Sequence, residues 1–153
     1  MEFDLGKMLK KIWIVQLGAS HTPYTHVEFI RGRDHVDGYE VVMVDVEKLM
    51  TCFDRDNVTL PLVSAWKESK VEGIRNFLNP TEGACEMPSI GFVVRNREIK
   101  TLFGLRSKTM SEAVASFTNG RHRSRYLQFA GAVTMPVEIA SSEAPLLRRF
   151  CGI

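Results

Sequence analysis

Residues 117–139 read FTNGRHRSRYLQFAGAVTMPVEI, a pattern that predicts a strand, a tight turn, a basic helix, a second turn and a returning strand. Asn119-Gly120 tolerates the positive φ that a tight turn requires, and Gly131 ends the helical pattern. Amides in the first turn of a helix lack partners within the helix and lie at the positive end of its dipole. The stretch therefore predicts a site for an anion, above all phosphate, where the helix begins.

The helical phase separates the side chains of this stretch. A rotation of about 100° per residue places one group on the buried side and another in solvent. The buried group is Tyr126, Leu127, Phe129 and Ala130, and the solvent group is Arg121, Ser124, Arg125 and Gln128. His122 and Arg123 would face a cleft beside the sheet. Arg123 is then the expected phosphate clamp, because its planar fork suits a phosphate, and His122 is a second donor or a proton-transfer group.

The simpler alternative is a basic helix start with no ligand. Cations at a helix N-terminus face the positive end of the dipole, which is unfavourable unless an anion is present. A solvated face explains Arg125 readily but explains Arg121 together with Arg123 less well. Both interpretations remain open on the residues alone.

Length and composition fit one soluble domain spanning residues 1–153, with residues 1–11 as a flexible lead-in. The chain has 153 residues, of which 44% are hydrophobic and 25% charged, and a formal net charge of +2. Eight lysines or arginines but only two glutamates lie between positions 95 and 125. This local excess of positive charge indicates an anionic partner more strongly than the net charge of the whole chain does.

The cysteine count and the apolar runs exclude several classes of protein. Three cysteines, Cys52, Cys85 and Cys151, are odd in number and include no Cys-x-x-Cys pair, so neither a disulfide framework nor a zinc site is indicated. We expect reduced thiols in a cytoplasm. No apolar run reaches membrane-spanning length, and the N-terminal residues do not resemble a signal peptide.

The remaining periodicities predict an α+β domain. Strands are expected at 12–15, 26–31, 39–46, 90–94, 98–103 and 137–139, and helices at 47–53, 64–78 and 141–150. A turn at 95–96, a loop at 104–109 and a short helical turn at 111–112 would connect them. Trp66 and Phe77 are placed on the buried face of the second helix, with base stacking by Trp66 as the alternative. Because strands and helices do not alternate regularly, we expect a mixed β-sheet flanked by helices.

The turn and helix also carry a resemblance. Gly120-Arg121-His122-Arg123, set between a strand and a helix, resembles the phosphate-binding motif of the ParB/sulfiredoxin superfamily. Residues 117–123, with Arg125-Tyr126-Leu127 and Gly131 behind them, are similar to the plasmid fertility inhibition proteins of the FiwA and Osa type. The resemblance implies a single ParB/sulfiredoxin-like domain in the bacterial cytoplasm. It also implies suppression of conjugative DNA transfer, with nucleotide hydrolysis and DNA cleavage as associated activities.

Two members of that superfamily are disfavoured. In sulfiredoxins the catalytic cysteine immediately precedes the motif His-Arg, and the matching position is Arg121, so this chain is not expected to be a sulfiredoxin. ParB proteins add a DNA-binding and a dimerisation region to the motif, and Tyr126 stands where they often have alanine. A ParB-like nuclease in another context and a non-enzymatic module that blocks a transfer-machinery protein remain as alternatives.

The expected site follows from the motif. Phosphate or nucleotide would be bound by Asn119, Gly120, Arg121, His122 and Arg123. Catalysis would use His122, Arg123 and Glu86, with Glu82, Asp45 and Glu112 as other acids for a divalent ion. The basic residues Arg106, Lys108 and Arg125 would contact a nucleic-acid backbone. The cofactors implied are a nucleoside triphosphate and Mg²⁺, the partners are DNA or nucleotide and a conjugation coupling or secretion protein, and the metal ligands and oligomeric state are open.

Overall fold

Two mixed β-sheets and four helices form the protein in a computed structural model that describes residues 10–100, 104 and 107–153. The strands are β1 Trp13–Gln16, β2 His26–Ile30, β3 Tyr39–Asp45, β4 Cys85–Glu86, β5 Ser89–Lys100, β6 Ser107–Asn119 and β7 Thr134–Ala140. The helices are α1 Val46–Phe53, α2 Glu68–Leu78, α3 Arg121–Phe129 and α4 Ala144–Cys151, with 3₁₀ turns at Val63–Ala65 and Pro80–Glu82. None of these helices in the described part of the chain is long and apolar enough to cross a membrane.

Both sheets combine parallel and antiparallel pairs. The larger has the order β3-β7-β5-β6, in which β3 and β7 are antiparallel, β7 and β5 parallel, and β5 and β6 antiparallel. The smaller has the order β1-β2-β4, with an antiparallel and then a parallel pair. The predicted α+β class with a mixed sheet is confirmed.

The core lies between the larger sheet and the helices. Alternate residues of β3 and most of β7 are buried, and α1 buries one face against β6 and α3. The carboxylate of Asp45 starts α1 by accepting a hydrogen bond from the amide of Lys48 at 2.9 Å. The core residues these elements contribute include Val42, Val44, Leu49, Met50, Phe53, Met135, Val137 and Ile139.

The predicted succession of strand, turn, helix, turn and strand is confirmed over residues 117–139. β6 ends at Asn119, Gly120 adopts a left-handed conformation with φ of 86°, and α3 follows. Gly131, with φ of 85°, then ends the helix. α3 packs between α1 and α2, which places its N-terminus beside the C-terminal half of α2.

The structure corrects the connection between residues 95 and 112. The predicted turn at 95–96 and the predicted helical turn at 111–112 are wrong, because β5 continues to Lys100 and β6 begins at Ser107. The two strands form one long hairpin whose partners include Asn96 with Ser111. An ion pair between Arg95 Nε and Glu112 Oε1 at 2.7 Å supports the pairing across the strands. Residues 98–100 of the predicted separate strand 98–103 belong to β5, and residues 107–109 of the predicted loop 104–109 belong to β6, so both predictions are wrong there. Residues 101–103, 105 and 106 lie outside the described residues.

Other predicted boundaries also move, and α4 begins at Ala144 rather than at 141. α2 begins at Glu68 rather than at 64, so Trp66 lies outside the helix. β7 begins at Thr134 rather than at 137 and therefore contains Pro136. β7 pairs with β5 only at Glu138 and Ile139, so the missing N–H of Pro136 falls where only β3 is a neighbour.

Candidate functional site

The turn before α3 holds the start of the helix against the loop that precedes β5. A Cβ on Gly120 would lie 2.9 Å from Cβ of Pro88, so this close contact, like the left-handed φ, requires glycine. The amide and hydroxyl of Ser124 both donate to the carbonyl of Gly120, at 2.9 Å and 2.8 Å. Gly120 has no side chain that could accept a hydrogen bond from the first-turn amides of α3. These amides therefore remain available to a ligand.

Two clefts meet at this helix start. The first, of about 560 Å³, is lined by Ile74 and Phe77 of α2 and by residues 117–123. The second, of about 960 Å³, is lined by Asn76, Phe77, Arg123 and residues 79 and 82–86. Phe77 and Arg123 line both clefts, so these two side chains lie at the junction.

Arg123 is anchored at that junction. Its Nη1 donates a hydrogen bond to the carbonyl oxygen of Glu86, and its Cζ lies 5.8 Å from the ring centroid of Phe77. Because a guanidinium carries several N–H donors, one bond to a carbonyl leaves others that can point to an anion. Arg123 thus lines both clefts, and its role as a phosphate clamp stays a prediction.

His122 lies half-buried in the first cleft. Its ring centroid is 5.6 Å from that of Trp66, with the two planes at 64°. Burial, and then the positive charges of Lys70 and Arg121, lower the pKa of His122 below the ordinary value of 6.5. The imidazole is therefore mostly neutral at pH 7, and Lys70 and Arg121 contribute positive charge beside it.

The other predicted phosphate ligands lie in the same cleft, in different settings. Arg121 is exposed. The side chain of Asn119 is occupied in holding the fold, since its Oδ1 accepts a hydrogen bond from the amide of Ser89 at 2.9 Å. All five predicted phosphate-binding residues thus line one cleft, in which Asn119 supports the turn.

The predicted acids are dispersed. Glu86 and Glu82 line the second cleft, and the Glu86 carboxylate lies against Gly32. Asp45 caps α1, and Glu112 is paired with Arg95. Within the described residues, His, Cys, Asp and Glu side chains form no group of three that could hold a metal ion. The catalytic role of Glu86 stays a prediction.

Arg125 departs from its predicted place. Its side chain is 2% exposed, bonded to the carboxylate of Asp54 and, at 3.3 Å, to the carbonyl of Leu60. Ser124 is also buried, whereas Phe129, expected in the core, is 57% exposed. The predicted phase is wrong because α3 is covered on two sides, by α1 and α2, rather than along one apolar stripe. A buried Arg125 is not available to a nucleic acid.

The other two predicted nucleic-acid contacts lie on the hairpin. Lys108 is exposed on β6, opposite Ile99, and is not among the described residues that line the two clefts. Arg106 lies outside the described residues. Contact of either residue with nucleic acid stays a prediction.

The aromatic surface beside Arg123 was not predicted from the sequence. Phe77, assigned to the buried face of α2, is 56% exposed. Trp66 is half-buried, its Nε1 donates to the carbonyl of Pro61 at 2.9 Å, and Lys70 Nζ lies 5.1 Å from its ring centroid. Phe77 follows Ile74 by three residues, a spacing that is typical of the buried face of a helix. The sequence therefore carries no signal that Phe77 is exposed.

Comparison with known proteins identifies the family. The family model described as plasmid fertility inhibition factor matches residues 41–152. No curated protein matches the chain by sequence. The fold is similar to that of the Oncogenic Suppression Activity Protein, a plasmid fertility inhibition factor solved as a gold(I) cyanide derivative. That similarity has a TM-score of 0.62 at 15% sequence identity, over 93% of this chain and 69% of the other. Since the family model covers most of its length, the chain belongs to the plasmid fertility inhibition factor family.

Proposed function

We propose that this protein suppresses conjugative DNA transfer by binding the phosphate of a nucleotide or of DNA at the start of α3. The observation that carries the proposal is the position of Arg123, which is anchored on the Glu86 carbonyl at the junction of two clefts. A guanidinium beside first-turn amides is a common arrangement for binding phosphate. The proposed setting is the bacterial cytoplasm, where DNA prepared for transfer is accessible.

The size and charge of the first cleft support this ligand class. Its volume of about 560 Å³ lies in the range of small-molecule sites, roughly 300 to 1,000 Å³. Arg121 and Lys70 are close enough to lower the pKa of His122, so the cleft disfavours a further positive charge. A bound phosphate would reverse that effect and raise the pKa of His122.

Phe77 supplies a surface for the base of the same ligand. Its ring is exposed and lies beside the Arg123 guanidinium, so a phosphate on Arg123 would place an attached nucleoside near an aromatic face. Stacking on an aromatic ring contributes about 1 to 3 kcal/mol per base. Phe77→Leu should therefore weaken binding of a labelled single-stranded oligonucleotide while leaving binding of inorganic pyrophosphate unchanged. An equal loss for both ligands would rule out stacking on Phe77.

Hydrolysis is the second part of the proposal. Arg123 would stabilise the charge that develops on the phosphoryl group, and His122, neutral at pH 7, would transfer a proton. Glu82 and Glu86, which line the second cleft, are the residues that would hold Mg²⁺, and the ion would supply positive charge near the phosphate. His122 and Arg123 both line the first cleft, so a phosphate bound there would lie near both side chains.

A non-enzymatic mode of inhibition is the alternative, and the β5–β6 hairpin favours it. The hairpin exposes Ile99 at 39% and Met110 at 48%, next to Arg97. Apolar side chains next to charge are typical of surfaces that bind other proteins. Here the hairpin would block a conjugation coupling or secretion protein, and the phosphate cleft would have no part in inhibition.

One experiment separates the two modes. The purified protein is incubated with plasmid DNA and with nucleoside triphosphates, with and without Mg²⁺, and inhibition of mating is measured in donor cells. The site proposal predicts turnover and inhibition that are both lost in a folded His122→Ala/Arg123→Ala variant. Arg149→Ala, which removes an exposed cation at the end of α4, should retain both. Full inhibition of mating by the double variant would overturn the site proposal and favour the hairpin.

A further inference from the structure

Two cysteines that are distant in the sequence meet in the core. Cys52 lies near the end of α1 and Cys151 is the last residue of α4, and their Sγ atoms are 3.8 Å apart across a separation of 99 residues. The two residues are 6% and 0% exposed. A disulfide bond of about 2.05 Å requires the sulfurs to approach each other further, which side-chain rotation can supply when both helices are already in contact.

The surroundings of Cys52 suit a reactive thiol. Cys52 lines a cleft of about 660 Å³ together with Lys48, Thr51 and Arg55. Arg55 Nη1 is 4.0 Å from Cys52 Sγ and donates to the carbonyl of Ala113 at 2.9 Å, so the guanidinium is held in place. A small oxidant that enters this cleft would meet Cys52 before it could reach Cys151.

The two thiols also differ in acidity. The hydrogen bond from the Cys151 thiol, aided by the charge of Arg55, lowers the pKa of Cys52 to about 7 in spite of burial. The same hydrogen bond and burial raise the pKa of Cys151. The thiolate, which is the nucleophilic form, is therefore favoured on Cys52.

We propose that Cys52 and Cys151 form a reversible disulfide and that a hydroperoxide is the oxidant. The Cys52 thiolate attacks one peroxide oxygen, the O–O bond breaks, and the released hydroxide or alkoxide takes up a proton, which leaves Cys52 as a sulfenic acid. Cys151 then loses its proton, its sulfur attacks the sulfur of Cys52, and the S–O bond breaks with loss of water. The two thiols together give up two electrons, and a thiol reductant restores them by exchange.

Cys85 provides an internal control. It is half-buried, its Sγ donates to the carbonyl of Glu28 at 3.7 Å, and burial raises its pKa. Cys85 lies in β4 of the smaller sheet, whereas the proposed pair joins α1 to α4. Oxidation of the pair should therefore leave Cys85 free for alkylation.

The test uses the full chain treated with hydrogen peroxide and then mapped by mass spectrometry without reduction. Wild type and Cys85→Ser should each lose 2 Da, yield a peptide that links residues 52 and 151, and recover fully in dithiothreitol. The bond closes a loop of about 100 residues in the unfolded chain, so the oxidised protein should melt about 5 °C or more above the reduced form. Cys151→Ser should instead accumulate a dimedone-reactive sulfenic acid at position 52.

Two results would overturn the proposal. One is that wild type gives no peptide linking 52 and 151 under mild peroxide while Cys52 proceeds to sulfinic acid. The other is that the disulfide formed joins Cys85 to Cys52 or to a second molecule. Both readouts are made on wild type, so they decide the matter even if a cysteine variant fails to fold.

Discussion

The buried pair of Arg125 and Asp54 leads to an asymmetry that can be measured. Arg125 is 2% exposed, whereas the side chain of its partner is 55% exposed. Asp54→Ala would leave a buried guanidinium without its carboxylate, and such uncompensated charges cost about 3 kcal/mol or more. Arg125→Met would retain most of the packed volume and leave a carboxylate that water can solvate, at a cost of about 1 kcal/mol. Removing the exposed partner, Asp54, should therefore lower the free energy of unfolding more than replacing the buried Arg125 does.

Chemical denaturation at pH 7 tests this order, with the free energy of unfolding extrapolated to water. In the Arg125→Met background, a further Asp54→Ala change should cost little, because no buried charge remains to be compensated. Glu98→Ala, an exposed acid on β5, is the control and should change the free energy by less than about 0.5 kcal/mol. If Asp54→Ala costs no more than Arg125→Met, or costs the same in both backgrounds, the argument from burial is refuted.

Two further predictions concern the turn before α3 and the response to pH. Gly120→Ala should destabilise the protein by about 2 to 4 kcal/mol, because φ is +86° and the new Cβ would meet Pro88. Gly73→Ala, in α2 with nothing within 4 Å, should stabilise it by up to about 1 kcal/mol; equal effects at both glycines in thermal melts would contradict this account. Burial lowers the pKa of His21 below 6.5, so the unfolded chain binds the proton more tightly and stability should fall as pH decreases through 6.5. The lowered pKa of His122 contributes to the pH dependence with the same sign. Urea titrations from pH 7.5 to 5.0 should therefore show that the free energy of unfolding falls less steeply with decreasing pH in His21→Asn than in wild type. The same pH dependence in both proteins would show that His21 is not a cause.

The sequence predicted the elements whose signals are local. The position of α3 follows from Gly120 and Gly131, because both glycines adopt the left-handed conformations that end a strand and a helix. α1, predicted at 47–53, begins one residue earlier, after Asp45, whose side chain caps it. The cleft position of His122 and Arg123 was predicted from a helical phase that is wrong for Arg125 and Phe129. The cleft itself depends on the packing of α2 beside α3, which the local sequence does not determine.

The features that depend on distant partners were not predictable. Arg125 is buried because Asp54, 71 residues away, lies beside it, and no helical periodicity contains that information. The outer half of the hairpin, residues 95–100 and 107–112, was missed because it is mostly polar and is supported by cross-strand pairs such as Arg95 with Glu112. The exposure of Phe77 depends on how α2 sits on α3, which its own sequence does not determine.

Phosphate binding at the start of α3 is tested most directly by fluorescence anisotropy with labelled nucleotide and single-stranded oligonucleotide. We predict that Arg123→Ala, in a variant with an unchanged circular dichroism spectrum, weakens binding by one to two orders of magnitude, or about 1.5 to 3 kcal/mol. Arg149→Ala removes the same charge from α4 and should weaken binding less than about threefold. Equal affinities for wild type and Arg123→Ala, or equal losses in the two arginine variants, would contradict the assignment of this site.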